Sequence, residues 1–323
     1  MTDRLGDAAF RATGGRERWP EMTYGGALSF LRRRYSRDLA GVDVAVMGVP
    51  WDSAVTYRPG CRLGPRAIRA ASVQLAELKA FPWGFSPLEA LSIVDWGDVM
   101  LDPHHPDTVA PAIEAAAAGI VASGARLLAF GGDHFVTWPL LAAHAARHGP
   151  LALVHVDAHG DLWPDDPGRI DHGTMMGRAI REGLVDPARS TQIGVRTFHD
   201  SDEGLEILTA PWLHRNGVAS ALEIVIARAG DAPVYLTFDI DALDPAFAPG
   251  TGTPVPGGLA SWQALELVRG LAPLDLVGMD VVEVSPPFDH AEITAIAAAT
   301  LAHDWLCLLA AKAGAQPRPV GRL

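Results

Sequence analysis

The sequence predicts an α/β fold in which one mostly parallel sheet is covered by helices on both faces. Two observations support this prediction. Short apolar runs rich in β-branched residues alternate with segments of helical spacing along most of the chain. No Pro/Gly/Ser-rich linker and no change of composition interrupts that alternation. We therefore expect a single domain over residues 41–323, preceded by an N-terminal arm over residues 1–40.

The predicted strands are apolar runs short enough to be buried on both faces, as in a parallel sheet. In chain order they cover residues 42–49, 91–94, 127–130, 151–156, 192–195, 234–238 and 276–284. Helical spacing of apolar residues predicts helices over residues 65–80, 108–123, 137–147, 174–182, 220–229, 261–271 and 293–311. The arm is polar and rich in arginine, and we expect only a short helix there, around residues 25–34.

Composition narrows the class of protein. Of the 323 residues 49% are apolar, which is enough for a large buried core. The net charge of -12 argues against nucleic acid or an anionic membrane as a partner and suits a cationic small molecule. A polar N-terminus and the lack of a membrane-length apolar run lead us to expect a soluble, cytoplasmic protein. Cys61 and Cys307 lack metal-ligand spacing, and we expect two buried thiols.

Side chains that bind metals follow three of the predicted strands. The motif GGDH at 131–134 follows the third strand, DAHGD at 157–161 follows the fourth, and DIDALDP at 239–245 follows the sixth. Alternate residues of an extended chain share a face, and the carboxyl ends of parallel strands meet at one edge of the sheet. The candidate metal ligands are therefore His134, Asp157, His159, Asp161, Asp239 and Asp241.

These ligand types indicate a binuclear metal centre. Four carboxylates packed into a cleft repel one another strongly, and two divalent cations would balance their charge. Carboxylate and imidazole without thiolate favour Mn²⁺, with Zn²⁺, Co²⁺, Ni²⁺ and Fe²⁺ as alternatives. Two ions about 3.5 to 4 Å apart lower the pKa of a shared water to about 7, which predicts metal-assisted hydrolysis.

The three motifs, in this order and separation, resemble the metal motifs of the ureohydrolases, the family of arginase and agmatinase. The stretches at 233–258 and 277–284 resemble the agmatinase branch. The resemblance implies a three-layer αβα fold around an eight-stranded parallel sheet, two Mn²⁺ ions and assembly as trimers or hexamers. It also implies cleavage of a guanidino compound to urea and an amine.

The resemblance assigns roles to individual residues. One ion would be held by His134, Asp157, Asp161 and Asp239, and the other by Asp157, His159, Asp239 and Asp241. Glu283 would grip the planar guanidinium through paired hydrogen bonds, Asp161 would accept a proton from the attacking water, and His172 would protonate the leaving amine. Asp244 would orient a ligand or its loop.

Agmatine, cleaved to putrescine and urea, is the leading substrate. Its ammonium would suit Asp165 or Asp166, with Trp163 available for a cation–π contact. Guanidinobutyrate or guanidinopropionate would instead need a cation such as Arg58 or Arg169 for the carboxylate.

The sequence departs from the agmatinase pattern at four positions. Where agmatinases usually have a small hydroxyl residue and a threonine, this chain has Gly160 and Leu162, and Met176 and Gly177 stand where aromatic residues are usual. These departures remove hydroxyls and exchange bulk near the expected pocket, so we expect Leu162 and Met176 to change its shape, and they leave open a small alkylated guanidine as the substrate.

Two interpretations that assign the chain to other classes of protein remain open. A noncatalytic partner subunit on the same fold could lose metal ligands, yet all six are present. A deacetylase of related fold would use one zinc and paired histidines, but the pair His104–His105 lies in a Pro-flanked segment.

Overall fold

The computed structural model describes Ala9, residues 23–166 and residues 170–318. Its centre is one eight-stranded sheet in the order β2-β1-β3-β8-β7-β4-β5-β6, and every neighbouring pair of strands is parallel. The strands are β1 (Val44–Val49), β2 (Ile93–Asp98), β3 (Arg126–Gly131), β4 (Ala152–Val156), β5 (Thr191–Ile193), β6 (Glu206–Leu208), β7 (Pro233–Asp239) and β8 (Asp275–Val282). The predicted parallel sheet is confirmed.

Eight α-helices in the described part of the chain cover the two faces of the sheet. They are α1 (Gly64–Ala71), α2 (Pro87–Ala90), α3 (Val109–Ala122), α4 (Thr137–His148), α5 (Met175–Arg181), α6 (Ala210–Ala229), α7 (Ser261–Gly270) and α8 (Ile293–Lys312). Helices α1, α2, α6, α7 and α8 pack together on one face, and α3, α4 and α5 on the other. Each layer buries its own apolar cluster against the sheet, so the three-layer αβα architecture is confirmed.

The predicted elements differ from the observed ones where local signals are weak. The helix predicted over 65–80 ends as α1 at Ala71 and continues only as the 3-10 turn Ser72–Leu75. Helix α6 begins ten residues before the predicted start, because Gly217 breaks its apolar spacing with a left-handed backbone (φ 83°). Strand β6 has only three residues and no alternation that the sequence could reveal.

The described end of the N-terminal segment is packed into the protein. The short helix expected around 25–34 is reduced to the 3-10 turn Phe30–Arg32, in which Phe30 and Leu31 are fully buried. The backbone amide of Phe30 donates to a carboxylate oxygen of Asp95 at 2.8 Å, and that of Leu31 donates to the hydroxyl of Ser72 at 2.8 Å. This part of the arm is therefore anchored to strand β2 and to the turn after α1.

Helix α8 is long and apolar enough to cross a membrane by length and composition, and it is the only described helix that passes this test. However, 78% of the tested window is buried inside the protein. Its apolar character is that of a core helix, covered by α1, α2 and α7.

Candidate metal centre

The candidate ligands lie at the carboxyl ends of β3, β4 and β7, which occupy the middle of the sheet with β8 between β3 and β7. The turn after β3 depends on Gly132, because a Cβ atom there would lie 1.6 Å from the carbonyl oxygen of Trp51. This close approach brings His134 to the sheet edge, where it begins a 3-10 turn. The loops after β4 and β7 carry the remaining ligands to the same edge.

Three carboxylates surround the imidazole of His134. Its Nδ1 lies 3.0 Å from Asp157 Oδ2, 3.1 Å from Asp161 Oδ2 and 3.2 Å from Asp239 Oδ2. All four side chains are almost completely buried. Burial lowers the pKa of His134, but the three carboxylates raise it well above its ordinary value, so the site demands positive charge at this point.

The hydrogen bonds of His134 indicate whether a proton on Nδ1 or a bound cation supplies this positive charge. Its Nε2 lies 2.9 Å from the hydroxyl of Thr237, which itself donates to Asp280 Oδ1 at 2.6 Å. The hydroxyl therefore accepts from Nε2, and in the neutral ring Nδ1 carries a lone pair. Nδ1 has no hydrogen-bond partner of suitable geometry in the described structure, although three carboxylate oxygens surround it. A lone pair among carboxylates fits a bound cation, as a first metal site requires.

A second set of donors adjoins the first. The Nδ1 of His159 lies 3.0 Å from Asp241 Oδ2 and 3.4 Å from Asp157 Oδ1. Burial lowers the pKa of His159, yet Asp241 and Asp157 together raise it to about 12. Asp157 directs Oδ2 toward His134 and Oδ1 toward His159, so one carboxylate serves both donor sets. This geometry matches the bridging role expected for Asp157.

Asp239 is less evenly shared. Its Oδ2 approaches His134, whereas its Oδ1 accepts a hydrogen bond from the backbone amide of Asp241 at 2.8 Å. Burial, Asp241 and Asp157 raise the pKa of Asp239 well above the ordinary value, and burial raises that of Asp241. Without cations, these carboxylates therefore favour protonation. The second bridging role of Asp239 stays a prediction.

Two supporting groups were not identified from the sequence. Asp280 lies inside β8 and accepts hydrogen bonds from three hydroxyl groups, those of Thr237 (2.6 Å), Thr137 (2.9 Å) and Tyr235 (2.9 Å). Through Thr237 it fixes the ring of His134. A charged residue within the apolar run of residues 276–284 was the available signal for this role.

The second supporting group is the pair His155 and Gln192. His155 Nε2 lies 2.7 Å from Asp157 Oδ2, and its Nδ1 lies 3.0 Å from the amide nitrogen of Gln192. The same amide nitrogen donates to the carbonyl oxygen of Gly160 at 2.6 Å. Because an amide nitrogen can only donate, His155 carries its proton on Nε2 and donates it to Asp157. The pair thus fixes the shared carboxylate and the loop after it.

Glu283 and His172, which the resemblance placed in catalysis, are in direct contact. The Nδ1 of His172 lies 2.8 Å from Glu283 Oε1, which also accepts from the backbone amide of His134 at 2.9 Å. Burial lowers the pKa of His172, but Glu283 and, less strongly, Asp161 raise it to about 9. The backbone amide of Thr56 points at Nε2 (3.1 Å), and the hydroxyl of Thr56 lies 2.9 Å from the same atom, where it can donate or accept a hydrogen bond. His172 is therefore held between a carboxylate and an amide.

Backbone strain marks the same region. Asp161 and Glu283 both adopt left-handed conformations, with φ of 49° and 62°, which cost on the order of 1 to 3 kcal/mol each for residues other than glycine. The carbonyl oxygen of Asp161 accepts hydrogen bonds from the amides of Met176 and Gly177 at the start of α5. The amide of Glu283 donates to the carbonyl oxygen of Gly132 at 2.8 Å. These contacts hold the two carboxylates in strained but defined positions.

An open cleft leads to the centre. Its described lining is Thr56, His134, His159, Gly160, Asp161, Trp163, His172, Thr197, Phe198, His199, Asp239 and Thr253. Trp163 is half-exposed there, as its expected role requires, and its ring rests on Gly173, where a Cβ atom would lie 2.6 Å from it.

Two other expected substrate contacts lie elsewhere. Asp165 forms a two-point ion pair with Arg178, at 2.6 Å for each hydrogen bond, so its charge is already matched and it does not line the cleft. The guanidinium of Arg58 lies over the rings of Tyr57 and Phe288, also outside the cleft lining. Arg169 lies outside the described residues. The structure therefore does not favour Asp165 or Arg58 as substrate contacts.

The four positions that depart from the agmatinase pattern do not all lie at the cleft. Leu162 and Met176 are buried in the apolar cluster beneath α3, α4 and α5, so their side chains do not face the cleft. Gly177 is covered by Arg181, whose Nη1 would lie 2.8 Å from a Cβ atom. Only Gly160 lines the cleft. The expectation that Leu162 and Met176 reshape the pocket directly is wrong, because both complete the core.

Loops around the centre are joined by Arg196 and Asp244. The Arg196 guanidinium donates to five backbone carbonyls, those of Gly194, Asp241, Ala242, Leu243 and Val255. Asp244 accepts from the amides of Ala246 (3.0 Å), Gly257 (2.7 Å) and Gly258 (3.2 Å), so it orients its loop, one of the two roles expected for it. Arg196 was not identified from the sequence, although it directly follows an apolar strand.

A second cleft lies between α7 and the start of α8, away from this centre. Its described lining is apolar apart from Ser261 and Thr300 and contains no ionisable side chain. Hydrolytic chemistry therefore belongs to the first cleft.

Comparisons with known proteins agree with this geometry. The sequence profile of the arginase family matches residues 42–307. An agmatinase of Chromobacterium violaceum is 58% identical over 313 residues, which cover 96% of this chain and 97% of that protein. An agmatinase of Escherichia coli is 52% identical over 273 residues, covering 84% of this chain and 89% of that protein.

Solved structures show the same likeness. The crystal structure of a hypothetical agmatinase from Burkholderia thailandensis has a TM-score of 0.94 at 55% identity and covers 95% of this chain and 98% of that one. Proclavaminate amidino hydrolase from Streptomyces clavuligerus has a TM-score of 0.85 at 39% identity, covering 90% and 99%. Because the profile spans most of the residues and these relatives match nearly the whole length, the chain belongs to the arginase family, a family of metal-dependent ureohydrolases.

Proposed function

We propose that this enzyme hydrolyses agmatine to putrescine and urea at a binuclear metal centre. The observation that carries the proposal is the buried Nδ1 of His134, which faces three carboxylates without a hydrogen-bond partner among the described residues. The donor set His134, Asp157, His159, Asp161, Asp239 and Asp241 fits two divalent cations, since all six are imidazole or carboxylate groups at one sheet edge. Relatives that are 50–58% identical are agmatinases, which supports agmatine as the substrate.

The reaction inserts water into a carbon–nitrogen bond of the guanidinium. When bound, the two cations supply a water of lowered pKa, so that a nucleophile is available near neutral pH. Glu283 Oε2 is buried and accepts no hydrogen bond from described residues, so it can accept one from the guanidinium. Asp161, on the cleft wall, accepts the proton of the attacking water, and His172 delivers a proton to the departing amine.

The pKa of His172 supports its role as the acid. At about 9, it favours the protonated ring at neutral pH, with Glu283 as the neighbouring charge that raises it. The amide of Thr56 occupies the Nε2 side of the ring in this structure. The hydroxyl of Thr56 lies 2.9 Å from Nε2 and can accept a hydrogen bond from the protonated ring until the departing amine takes its place.

The cleft favours agmatine over guanidino acids. No arginine or lysine occurs among the described residues that line it, so none of these residues offers a matching cation for a carboxylate at the far end of the substrate. Half-exposed Trp163 and the more exposed Phe198 instead provide aromatic faces, which suit an alkyl chain and an ammonium.

Urea release is the direct test. The purified chain is loaded with Mn²⁺ or, separately, Ni²⁺, and assayed with agmatine, arginine, guanidinobutyrate, guanidinopropionate and methylated guanidines. We expect stoichiometric urea and putrescine from agmatine. Glu283→Gln should abolish turnover, and Glu266→Gln, an exposed matched control on α7, should leave it unchanged. Turnover of guanidinobutyrate but not agmatine, or full activity in Glu283→Gln, would contradict the proposal.

The same proposal has three further parts. Mn²⁺ is the resident metal, and the protein is located in the cytoplasm. The chain is divided into an arm over 1–40 and a catalytic domain over 41–323. Carboxylate and imidazole donors support Mn²⁺. Metal analysis of protein purified without added metal tests this assignment, and two equivalents of another metal would contradict it.

Assembly into trimers or hexamers is also part of the proposal. The apolar cleft between α7 and α8 supports this assignment. Phe247, which lines the cleft, is 40% exposed, and Trp262 on α7 is 62% exposed. Light scattering on the eluting protein gives the number of chains, and a monomer at micromolar concentration would contradict the assignment.

A further inference from the structure

His199, in the cleft, occupies space that a side chain at position 160 would otherwise fill. Gly160 lies between the candidate ligands His159 and Asp161, and a Cβ atom there would lie 2.8 Å from Cδ2 and 3.4 Å from Nε2 of His199. The ring of His199, in the loop after β5, therefore fits against the cleft wall only because residue 160 has no side chain. Gly160 and His199 both line the cleft.

The partners of His199 define its hydrogen-bonding capacity. Its Nδ1 lies 2.6 Å from the carbonyl oxygen of Ser201. A carbonyl oxygen can only accept, so Nδ1 carries the proton, and in the neutral ring Nε2 retains a lone pair. Nε2 is the ring nitrogen nearer to Gly160, and His199 lines the cleft. Among the described residues, Nδ1 is the ring nitrogen that has a hydrogen-bond partner.

The far end of the substrate has few other polar acceptors. The lining carboxylates Asp161 and Asp239 belong to the metal centre, and Asp165 is already paired with Arg178. Thr197, which precedes Phe198 and His199 in its loop, uses its hydroxyl to donate to the carbonyl oxygen of Ala158. His199 Nε2 therefore stands out as a hydrogen-bond acceptor beside aromatic surface.

Aromatic rings flank this acceptor. Phe198 is 86% exposed and Trp163 is 49% exposed, and both line the same cleft as His199. A large exposed aromatic side chain next to a hydrogen-bond acceptor suits a primary ammonium, which can donate to nitrogen and lie over a ring.

We propose that His199 Nε2 accepts a hydrogen bond from the terminal ammonium of the substrate, in a subsite that the absence of a side chain at Gly160 creates. This inference rests on the proposed hydrolysis of agmatine and names the residue that distinguishes it from other guanidines. His199 thus determines specificity, and it takes no part in the chemistry at the guanidinium carbon.

The test compares agmatine with butylguanidine, which is agmatine without its amino group. His199→Phe keeps an aromatic ring but removes the acceptor. We expect it to lower kcat/KM for agmatine by about tenfold or more, the effect of a hydrogen bond to a charged group, and to leave butylguanidine within about twofold. His104→Phe, at an exposed site before α3, is the matched control and should change neither value.

A double-mutant cycle tests the link with Gly160. Gly160→Ser should displace the ring and lower kcat/KM for agmatine in the wild-type background, but should cost little further in His199→Ala, where the space is open. Additive losses would overturn the steric link. Metal content measured on each variant separates this effect from damage to the neighbouring ligands.

The two proposals fail in different ways. If wild-type enzyme prefers agmatine to butylguanidine and His199→Phe loses activity equally on both, the role of His199 is overturned while agmatine hydrolysis stands. If wild-type enzyme turns over butylguanidine at least as well as agmatine, the ammonium is not recognised and the role of His199 is overturned, whereas agmatine hydrolysis falls only if agmatine releases no urea.

Discussion

The hydroxyl of Thr237 gives the sharpest test of how the fold prepares the metal centre. It lies 2.9 Å from His134 Nε2 and donates to Asp280 at 2.6 Å, and all three side chains are buried. Thr237→Val keeps the shape of the side chain and removes this connection. His134 is then left with a buried N–H that has lost its acceptor, which costs about 1 to 3 kcal/mol.

The loss should appear mainly in metal binding. Without the hydroxyl, the ring of His134 can move its proton to Nδ1, the atom that faces the carboxylates, and a protonated Nδ1 cannot bind a cation. A loss of about 2 kcal/mol corresponds to a roughly 30-fold weaker site, within the range seen when a group supporting a ligand is removed. Excess metal should restore most of kcat.

The assay is calorimetric titration of metal-free protein with Mn²⁺, followed by activity at increasing Mn²⁺. Thr191→Val is the matched control, because Thr191 is buried in β5 and its hydroxyl has no hydrogen-bond partner in the described structure. We expect the control to bind metal like wild type. Affinity of Thr237→Val within twofold of wild type, or an equal loss in the control, would refute the reasoning.

Three further outcomes follow from the geometry. Gly132→Ala should destabilise the protein by more than about 3 kcal/mol, since its Cβ would overlap a backbone carbonyl, while Gly119→Ala, in open space on α3, should be neutral or stabilising in a denaturant titration. Arg196→Met should lower the unfolding midpoint, because it strands buried carbonyl oxygens, whereas exposed Arg215→Met should not; equal midpoints would contradict this. Metal uptake should release protons and strengthen from pH 6 to pH 8, because His134, His159 and Asp239 of the metal-free centre have raised pKa values and must deprotonate; calorimetry in buffers of different ionisation enthalpy would show no buffer dependence if this is wrong.

Much of the fold was predictable because its signals are local. Seven of the eight strands coincide with predicted apolar runs, and all three ligand motifs lie directly after them. A strand buried on both faces must be apolar over its whole length, so Asp157 or Asp239 at its end is conspicuous in the sequence. The exception, β6, has three residues at the sheet edge, which is too short for any pattern.

Contacts between loops were not predictable in this way. Trp163 and Asp165 lie two residues apart in the same loop and carry the same kind of local signal. The fold nevertheless pairs Asp165 with Arg178 and leaves Trp163 on the cleft. Leu162 and Met176 likewise looked like pocket residues, and packing placed them in the core. Whether a loop side chain faces a cleft depends on which helix covers it.

The sequence by itself determined the αβα class, the family and the six candidate ligands, because each follows from residues close together in the chain and from the common edge that parallel strands share. The tertiary structure alone decided what supports and completes the site. Glu283 meets His172 across 111 residues, Thr237 meets His134 across 103, and His199 fills the space beside Gly160. Such contacts arise from the order of strands in the sheet and the close packing of their loops, and no local pattern records them.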